Sequence, residues 1–397
     1  MITASYLNFW THTLKTVCFF LFIFLSFIIE AASVNNLSRA QSPSYILTDD
    51  VQGIDGLDNP RDIALTKDKK WVFVVSADDN SLSVLKVNPD FSLSQKQTIK
   101  SNGRVKLEGA LSVVSDEKGQ NIYVLSYYHS ALLHFSFSEK SGLELQHTLS
   151  DNLSFKQVFK EPETIKSAQD TFGILGGYEL SINHNTNQLF ISSTVSHSVS
   201  VFNINPNGKP ILSQRIQSLK DAALSGAVSI TTCETGQFLA VAGMNGKAVS
   251  VYKRSTSGRF TYYQTLKHQF DMPISVTFAG NGHYLVAVDA INSDIVLARK
   301  NHEHVFEVVK VVGKDEHDIK GLNKVTLSRS ESAILTFSEQ SHRIDEFQLD
   351  GASLKLSKSL TPKGLHSATS LEFLDSTHVV STWAKSDAIV VFKLFTE

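Results

Sequence analysis

The chain of 397 residues is poor in cysteine, methionine and proline, with two, three and eight of them. Cys18 sits in an apolar run near the amino terminus, so loss of that run would leave Cys233 alone and no intramolecular disulfide possible. A secreted chain of this kind has to be held by its core. An excess of one charge is missing too: 37 Lys and Arg stand against 39 Asp and Glu, for a net charge of −2. The basic residues do not cluster, which argues against nucleic-acid binding and against a polybasic membrane patch. P-loop, Rossmann glycine pattern, CxxC, haem attachment motif and a Ser-His-Asp order are all absent, and no cofactor is expected.

Helical periodicity is nearly missing as well. The exception is 151–175, where Phe155, Val158 and Phe159 fall at i, i+3 and i+4 before Pro162 breaks the run. Residues 1–33 read as a secretory signal peptide. Met1–Lys15 has no acid, Val17–Ile29 is apolar except for Ser26, and Ala31-Ala32-Ser33 supplies small residues for cleavage. Thirteen residues is short against the about 20 that an uninterrupted bilayer span requires. Contact with a membrane is therefore expected only through this export signal, with the mature protein periplasmic or extracellular. Residues 34–44 are polar and read as a flexible lead-in.

What is present in quantity is a repeat. Pro60–Val87 reads as three short strands with tight polar turns, and its middle strand, Trp71–Val75, is apolar on both faces and needs cover on both sides. The third-strand pattern starts at Ser81 and returns at Ala131, Ser198, Ala248, Asp294, Arg343 and Ala388, with spacings of 50, 67, 50, 46, 49 and 45 residues. A more polar fourth strand follows, as at Leu93, Arg259, Val305 and Ser353. Periods of this size with several strands each belong to β-propeller blades. The seventh repeat has no fourth strand of its own, whereas Tyr45–Val51 is a strand without a repeat. The expected architecture is all-β: residues 45–397 form a seven-bladed propeller of four-stranded blades, with Tyr45–Val51 completing blade seven. The extra length at 151–175 falls between blades two and three, on the face of the channel mouth.

The run Pro-Arg-x-Ile-Ala-Leu at Pro60, a charged turn, an apolar strand and then Asn-Ser-Leu-Ser-Val at Asn80 resembles the lactonase-type and YVTN-repeat propellers, over nearly the whole chain after residue 44. Some members of that superfamily act on lactones, 6-phosphogluconolactonase among them, and others have no established chemistry. The enzymatic branch commonly opens its first strands with Pro-Arg-His or Pro-His-Ser. Here Pro60-Arg61 is followed by Asp62, and turns such as Glu234-Thr235-Gly236 replace the family's Pro-Asp-Gly.

Aligning the repeats places Asp62, Leu111, Glu179, Ala227, Ser275, Lys324 and Ser370 at one level where the first strands meet the channel. Arg61, Tyr178, Asn323 and Thr369 come just ahead, and Glu108 and His366 slightly earlier. Glu179, Asp62 and Arg61 are the candidate catalytic residues, with Glu179 as general base on water. Tyr178, Lys324, Asn323, Glu108 and His366 are candidate ligand contacts for a small anionic or polyhydroxyl ligand or a protein partner. No metal site is expected. His129, His197 and His342 occupy turns far apart around a ring, His302 and His304 form a hairpin tip, and Asp49, Asp50, Asp55 and Asp58 miss the calcium-loop spacing. The leading expectation is an exported, monomeric binding module using the channel mouth, and the alternative is a lactone hydrolase. A purely structural role in the envelope is a third reading.

Overall fold

In a computed structural model the chain forms seven antiparallel sheets of four strands each, arranged as the blades of a propeller. The structure describes residues 38–39, 42–151, 170–217, 223–313, 316, 318–328 and 332–393. The leader 1–33 and Phe155, Val158 and Phe159 of the 151–175 insertion lie outside these residues. In the lead-in, Ser38–Arg39 runs parallel to Ser359–Leu360 on the outer strand of blade six, making that sheet five-stranded.

Each blade follows from its pattern of burial. In blade one the first strand is Pro60–Leu65, the second Trp71–Ser76, the third Ser81–Val87 and the fourth Leu93–Lys100. The second strand is buried throughout, because each of its faces meets a different neighbour. Trp71, Phe73 and Val75 pack with Val113, Val124 and Phe135 of blade two, whereas Val72 and Val74 pack with Val380, Ile389 and Val391 of blade seven. At about 1.5–3 kcal/mol for each buried large side chain, this sandwiching is the main force holding blade to blade. In the fourth strand only Leu93 is buried and the other positions are half-buried or exposed, as an outer edge should be.

Closure takes the expected form. Tyr45–Thr48 pairs antiparallel with the last strand, Ala388–Lys393, in the register Tyr45↔Val391 to Thr48↔Ala388. The Asp49 N–H donates to the Asp387 carbonyl at 2.9 Å and extends the ladder by one bond. Blade seven is thus built from both ends of the described chain, and pairing of this kind leaves no open seam. Cys233 is buried, 2% exposed, as its position after a first strand suggests.

The base of the 151–175 insertion is tied to the blades. Asp151 accepts the N–H groups of Phe172 (2.8 Å) and Ile174 (2.9 Å), and Asp170 pairs with Arg215. Ile174 and Leu175 are buried in the core.

Candidate functional site at the channel mouth

The first strands of all seven blades carry the same irregularity. Their pairing with the second strand slips after the opening residue: Pro60↔Ser76 is followed by Asp62↔Val75, and equivalent bulges occur at Ala110/Ser112, Gly177/Glu179, Ala227/Ser229, Pro273/Ser275, Leu322/Lys324 and Ala368/Ser370. A bulge sets two residues against one on the partner strand and so breaks the alternation of faces. Each blade therefore contributes a bulged residue and the residue after it. Arg61, Leu111, Tyr178, Val228, Ile274, Asn323 and Thr369 are the bulged residues, and all of them line one cavity of about 750 Å3. The level below is Asp62, Ser112, Glu179, Ser229, Ser275, Lys324 and Ser370. This corrects the sequence alignment at two blades: Leu111 belongs to the tier above, and the level of Ala227 is held by Ser229.

The lower tier joins neighbouring blades. Asp62 Oδ2 accepts the Val113 N–H (3.1 Å), Ser112 Oγ that of Leu180 (3.1 Å) and Glu179 Oε2 that of Ile230 (2.9 Å). Ser229 Oγ accepts from Val276 (3.1 Å) and Ser275 Oγ from Val325 (3.2 Å). Each side-chain oxygen thus satisfies a backbone donor of the next blade, which is costly to leave unpaired where water is excluded. Lys324 has no acceptor to offer. Between blades six and seven the link comes from the tier above, where Asn323 Nδ2 donates to the Ala368 carbonyl at 3.1 Å.

A second set of links lies at the turns before the third strands. Asn80, Ser130, His197, Ser293 and Asp387 all adopt left-handed backbone, with φ between 47° and 55°. Their side chains accept N–H groups from Gly109, Gly176, Gly226, Gly321 and Asn59 of the following blade. His197 is one of these links, through Nδ1 at 3.0 Å, and His129 Nδ1 accepts the Glu108 N–H at 3.1 Å. Among the described residues, Asp49, Asp55 and Asp79 form the one group of three His, Cys, Asp or Glu side chains with ligand atoms within 4.8 Å of each other. The Lys100 ammonium already bridges Asp55 (2.7 Å) and Asp79 (2.6 Å).

Charge is concentrated on the channel axis. Asp62 accepts both Ser112 Oγ and Ser370 Oγ at 2.8 Å, and Lys324 Nζ lies 3.6 Å from its Oδ1. These side chains are ringed by first strands yet touch the channel space, Lys324 with 26% of its surface and Asp62 with 14%. Burial works to lower the Lys324 pKa, but Asp62, Glu179 and Glu372 outweigh it and hold the ammonium charged. Glu179 is raised above the ordinary carboxylate range by burial, with Lys324, the Ser229 hydroxyl and the Ile230 N–H opposing. Glu372 is pushed up to about 7 by burial, against Lys69 and Lys324 and with added repulsion from Asp62.

Of the residues singled out in the sequence, Arg61, Asp62, Tyr178, Glu179, Asn323 and Lys324 come together around the cavity. Glu108 and His366 do not line it; the His366 ring packs edge-on against His342, with centroids 4.4 Å apart. Sequence reasoning missed Glu372, and also Asp58, Asp78 and Asp387, which line the mouth where blades seven and one meet. Glu372 was readable from its place two residues after Ser370, on the same face of the strand. Ser112 and Ser229 were readable from the aliphatic residue that follows every member of their tier: Ile63, Val113, Leu180, Ile230, Val276, Val325 and Leu371, all buried.

The same fold occurs in solved structures of low sequence similarity. A protein from Lactobacillus plantarum matches with a TM-score of 0.62 at 15% identity, over 77% of this chain and 85% of its own. A periplasmic gluconolactonase from Pseudomonas aeruginosa matches with a TM-score of 0.60 at 13% identity, over 77% and 86%. A putative 6-phosphogluconolactonase from Bacteroides fragilis gives 0.61 at 15%, over 85% and 89%. No family model matches the sequence, and no curated protein matches it.

Proposed function

We propose that this chain is an exported binding propeller that holds a small polyhydroxyl ligand in the channel mouth. The observation that carries this is the composition of the cavity wall. Tyr127 and Tyr178 meet edge to face at 6.2 Å on the side of blades two and three, and Tyr178 remains 37% exposed. The same cavity is lined by carboxylates and hydroxyls, including Asp58, Asp387, Ser367 and Thr369. An aromatic face with several convergent acceptors suits a ring that has apolar C–H faces and many hydroxyls. The volume of about 750 Å3 lies within the roughly 300–1,000 Å3 usual for small-molecule sites. Calorimetry of the mature protein with neutral disaccharides should show saturable binding, weakened at least about tenfold by Tyr178→Ala, a loss of about 1.4 kcal/mol. Absence of binding across the panel, or identical affinity in the variant, would overturn the assignment. Export rests on the character of residues 1–33 and is tested by sequencing the amino terminus of the mature protein.

A second reading, lactone hydrolysis, is favoured by one feature of the channel. Glu372 has no hydrogen-bond partner among the described residues and a pKa of about 7, which suits a general base on water. Glu179 sits on the same channel with one oxygen committed to Ile230, and Arg61 stands above it. Asp62 is already engaged by Ser112, Val113, Ser370 and Lys324. Turnover of a lactone panel above the spontaneous rate, abolished by Glu179→Gln or Glu372→Gln, would establish this reading. No turnover leaves the binding propeller.

A further inference from the structure

The charges around the mouth are not evenly balanced. Lys385 pairs with Glu339 at 2.5 Å, and Lys324 is taken by Asp62 at 3.6 Å. The charge of Arg61 acts on Glu339, whose carboxyl it helps Lys385 and Ser367 hold below the usual range. Each basic group lining the cavity thus has an acidic neighbour. Where blades seven and one meet, Asp58, Asp78 and Asp387 line the same space. Asp58 shares a hydrogen bond with Asp387, and burial together with the charges of Asp387, Asp78 and Asp79 pushes it up to about 6. Once ionised, Asp58 is repelled by Asp387 and Asp78. Asp387 cannot turn away, because its Oδ1 is fixed by the Asn59 N–H at 2.9 Å.

A second feature of the cavity is independent of these acids. Tyr127 and Tyr178 line it from blades two and three, with Tyr128 edge-on to Tyr127 and Tyr178 37% exposed. The electron-rich faces of such rings attract cations as well as sugar C–H groups. A neutral polyhydroxyl ligand would use the rings and hydroxyls but leave the repulsion among the aspartates in place. A ligand that also carries an ammonium group relieves it.

We infer that the ligand of this mouth is cationic, an amine-bearing polyhydroxyl compound of the amino-sugar class, whose ammonium is received by Asp58, Asp78 and Asp387 while its ring lies against Tyr178. This rests on the polyhydroxyl assignment and narrows it. No covalent step is involved. The gain comes from charge complementarity inside a partly enclosed site, where it counts for more than on an open surface.

The test is calorimetry at pH 7 with two probes of equal size, a disaccharide of glucosamine and the same disaccharide fully N-acetylated. The free amine should bind about tenfold tighter than the acetylated form, an increment of about 1.4 kcal/mol. Asp58→Asn and Asp78→Asn, measured separately, should each bring that preference to about threefold or less. Unchanged melting temperatures would confirm intact folds in both variants. Equal affinity for the two probes, or a preference that survives both substitutions, overturns the inference and leaves the polyhydroxyl site standing. Failure of either disaccharide to bind, with no neutral disaccharide bound either, removes both.

Discussion

The junction between blades one and two and that between blades six and seven start from the same strand bulge and differ at the side chain that follows it. At the first, Asp62 accepts the Val113 N–H and the Ser112 hydroxyl of the next blade. At the second, the equivalent position is Lys324, a donor only, and the first strands approach each other less closely than at the other junctions. Asn323 makes the link instead, and its Oδ1 is buried without a partner. The lysine is turned toward the axis, where it partly neutralises Asp62, Glu179 and Glu372. A repeat can therefore give up one inter-blade link when the other junctions and the hydrophobic sandwich hold the ring. The position so released is free to set the charge of the channel.

Opening the ring altogether should have the largest effect on that arrangement. Deletion of residues 44–51 removes the outer strand of blade seven and exposes Ala388–Lys393 as an edge, with an expected loss of several kcal/mol and a fall in melting temperature of roughly 10 °C or more. Differential scanning calorimetry showing a melt within 2 °C of the full chain, about the shift from 1 kcal/mol or less, would rule out a supporting role for closure. Next in size is Asp62→Ala. It strips acceptors from Ser112, Val113 and Ser370 and leaves Lys324 without its nearest counter-charge. The expected cost in chemical denaturation is about 3 kcal/mol. A cost below about 1 kcal/mol would mean that the ring does not depend on this link.

The pH dependence separates the channel from the body of a blade. Glu372 has a folded-state value of about 7, above its ordinary 4.5, so the native state holds the extra proton. Its contribution is greatest below pH 4.5 and declines as pH rises through about 7. Glu372→Gln should flatten that decline and make the protein about 2 kcal/mol more stable than the parent at pH 8. His134 behaves in the opposite way. It is 1% exposed within blade two, stacked on Tyr123 and bonded through Nε2 to Asn121 at 2.8 Å. Burial lowers it from 6.5 to about 4, so its contribution is present above pH 6.5 and is lost as pH falls through about 4. His134→Asn should flatten the acid side of the profile while leaving the slope near pH 7 in place. Melts from pH 4 to pH 8 on the two variants check both signs, and a shared slope would contradict the separation. The smallest effect concerns Cys233. It should label with a thiol reagent only as fast as the native state opens, and rapid labelling would contradict its burial.

Much of the propeller was legible because its signals are local and repeated. The apolar second strands, the polar turns and the recurrence of the third strand identify blades without reference to distant contacts. The unpaired Tyr45–Val51 and the missing last strand are a complementary pair of local facts, and together they give the closure. The candidate site was legible in part. Arg61, Asp62, Tyr178, Glu179, Asn323 and Lys324 line one cavity, since residues at equal depth in successive blades converge on the axis. Ser112 and Ser229 were displaced by one and two positions because a bulge adds a residue that a strict period of two does not count. Glu108 and His366 precede the strands, where chain direction is set by turn geometry and not by alternation.

By itself the sequence determined that seven four-stranded units exist, which of their strands are buried on both faces, and that the two ends complete one blade. These follow from the spacing of apolar residues along the chain, a property of neighbours in sequence. Only the tertiary structure decided which side chains share a level on the axis, that Asp62 is satisfied from three blades, and that Asp58, Asp78 and Asp387 crowd one wall of the mouth. Such meetings join residues as far apart as 329 positions, Asp58 and Asp387 among them. They depend on the bulges and on the angle between blades, which local patterning does not encode.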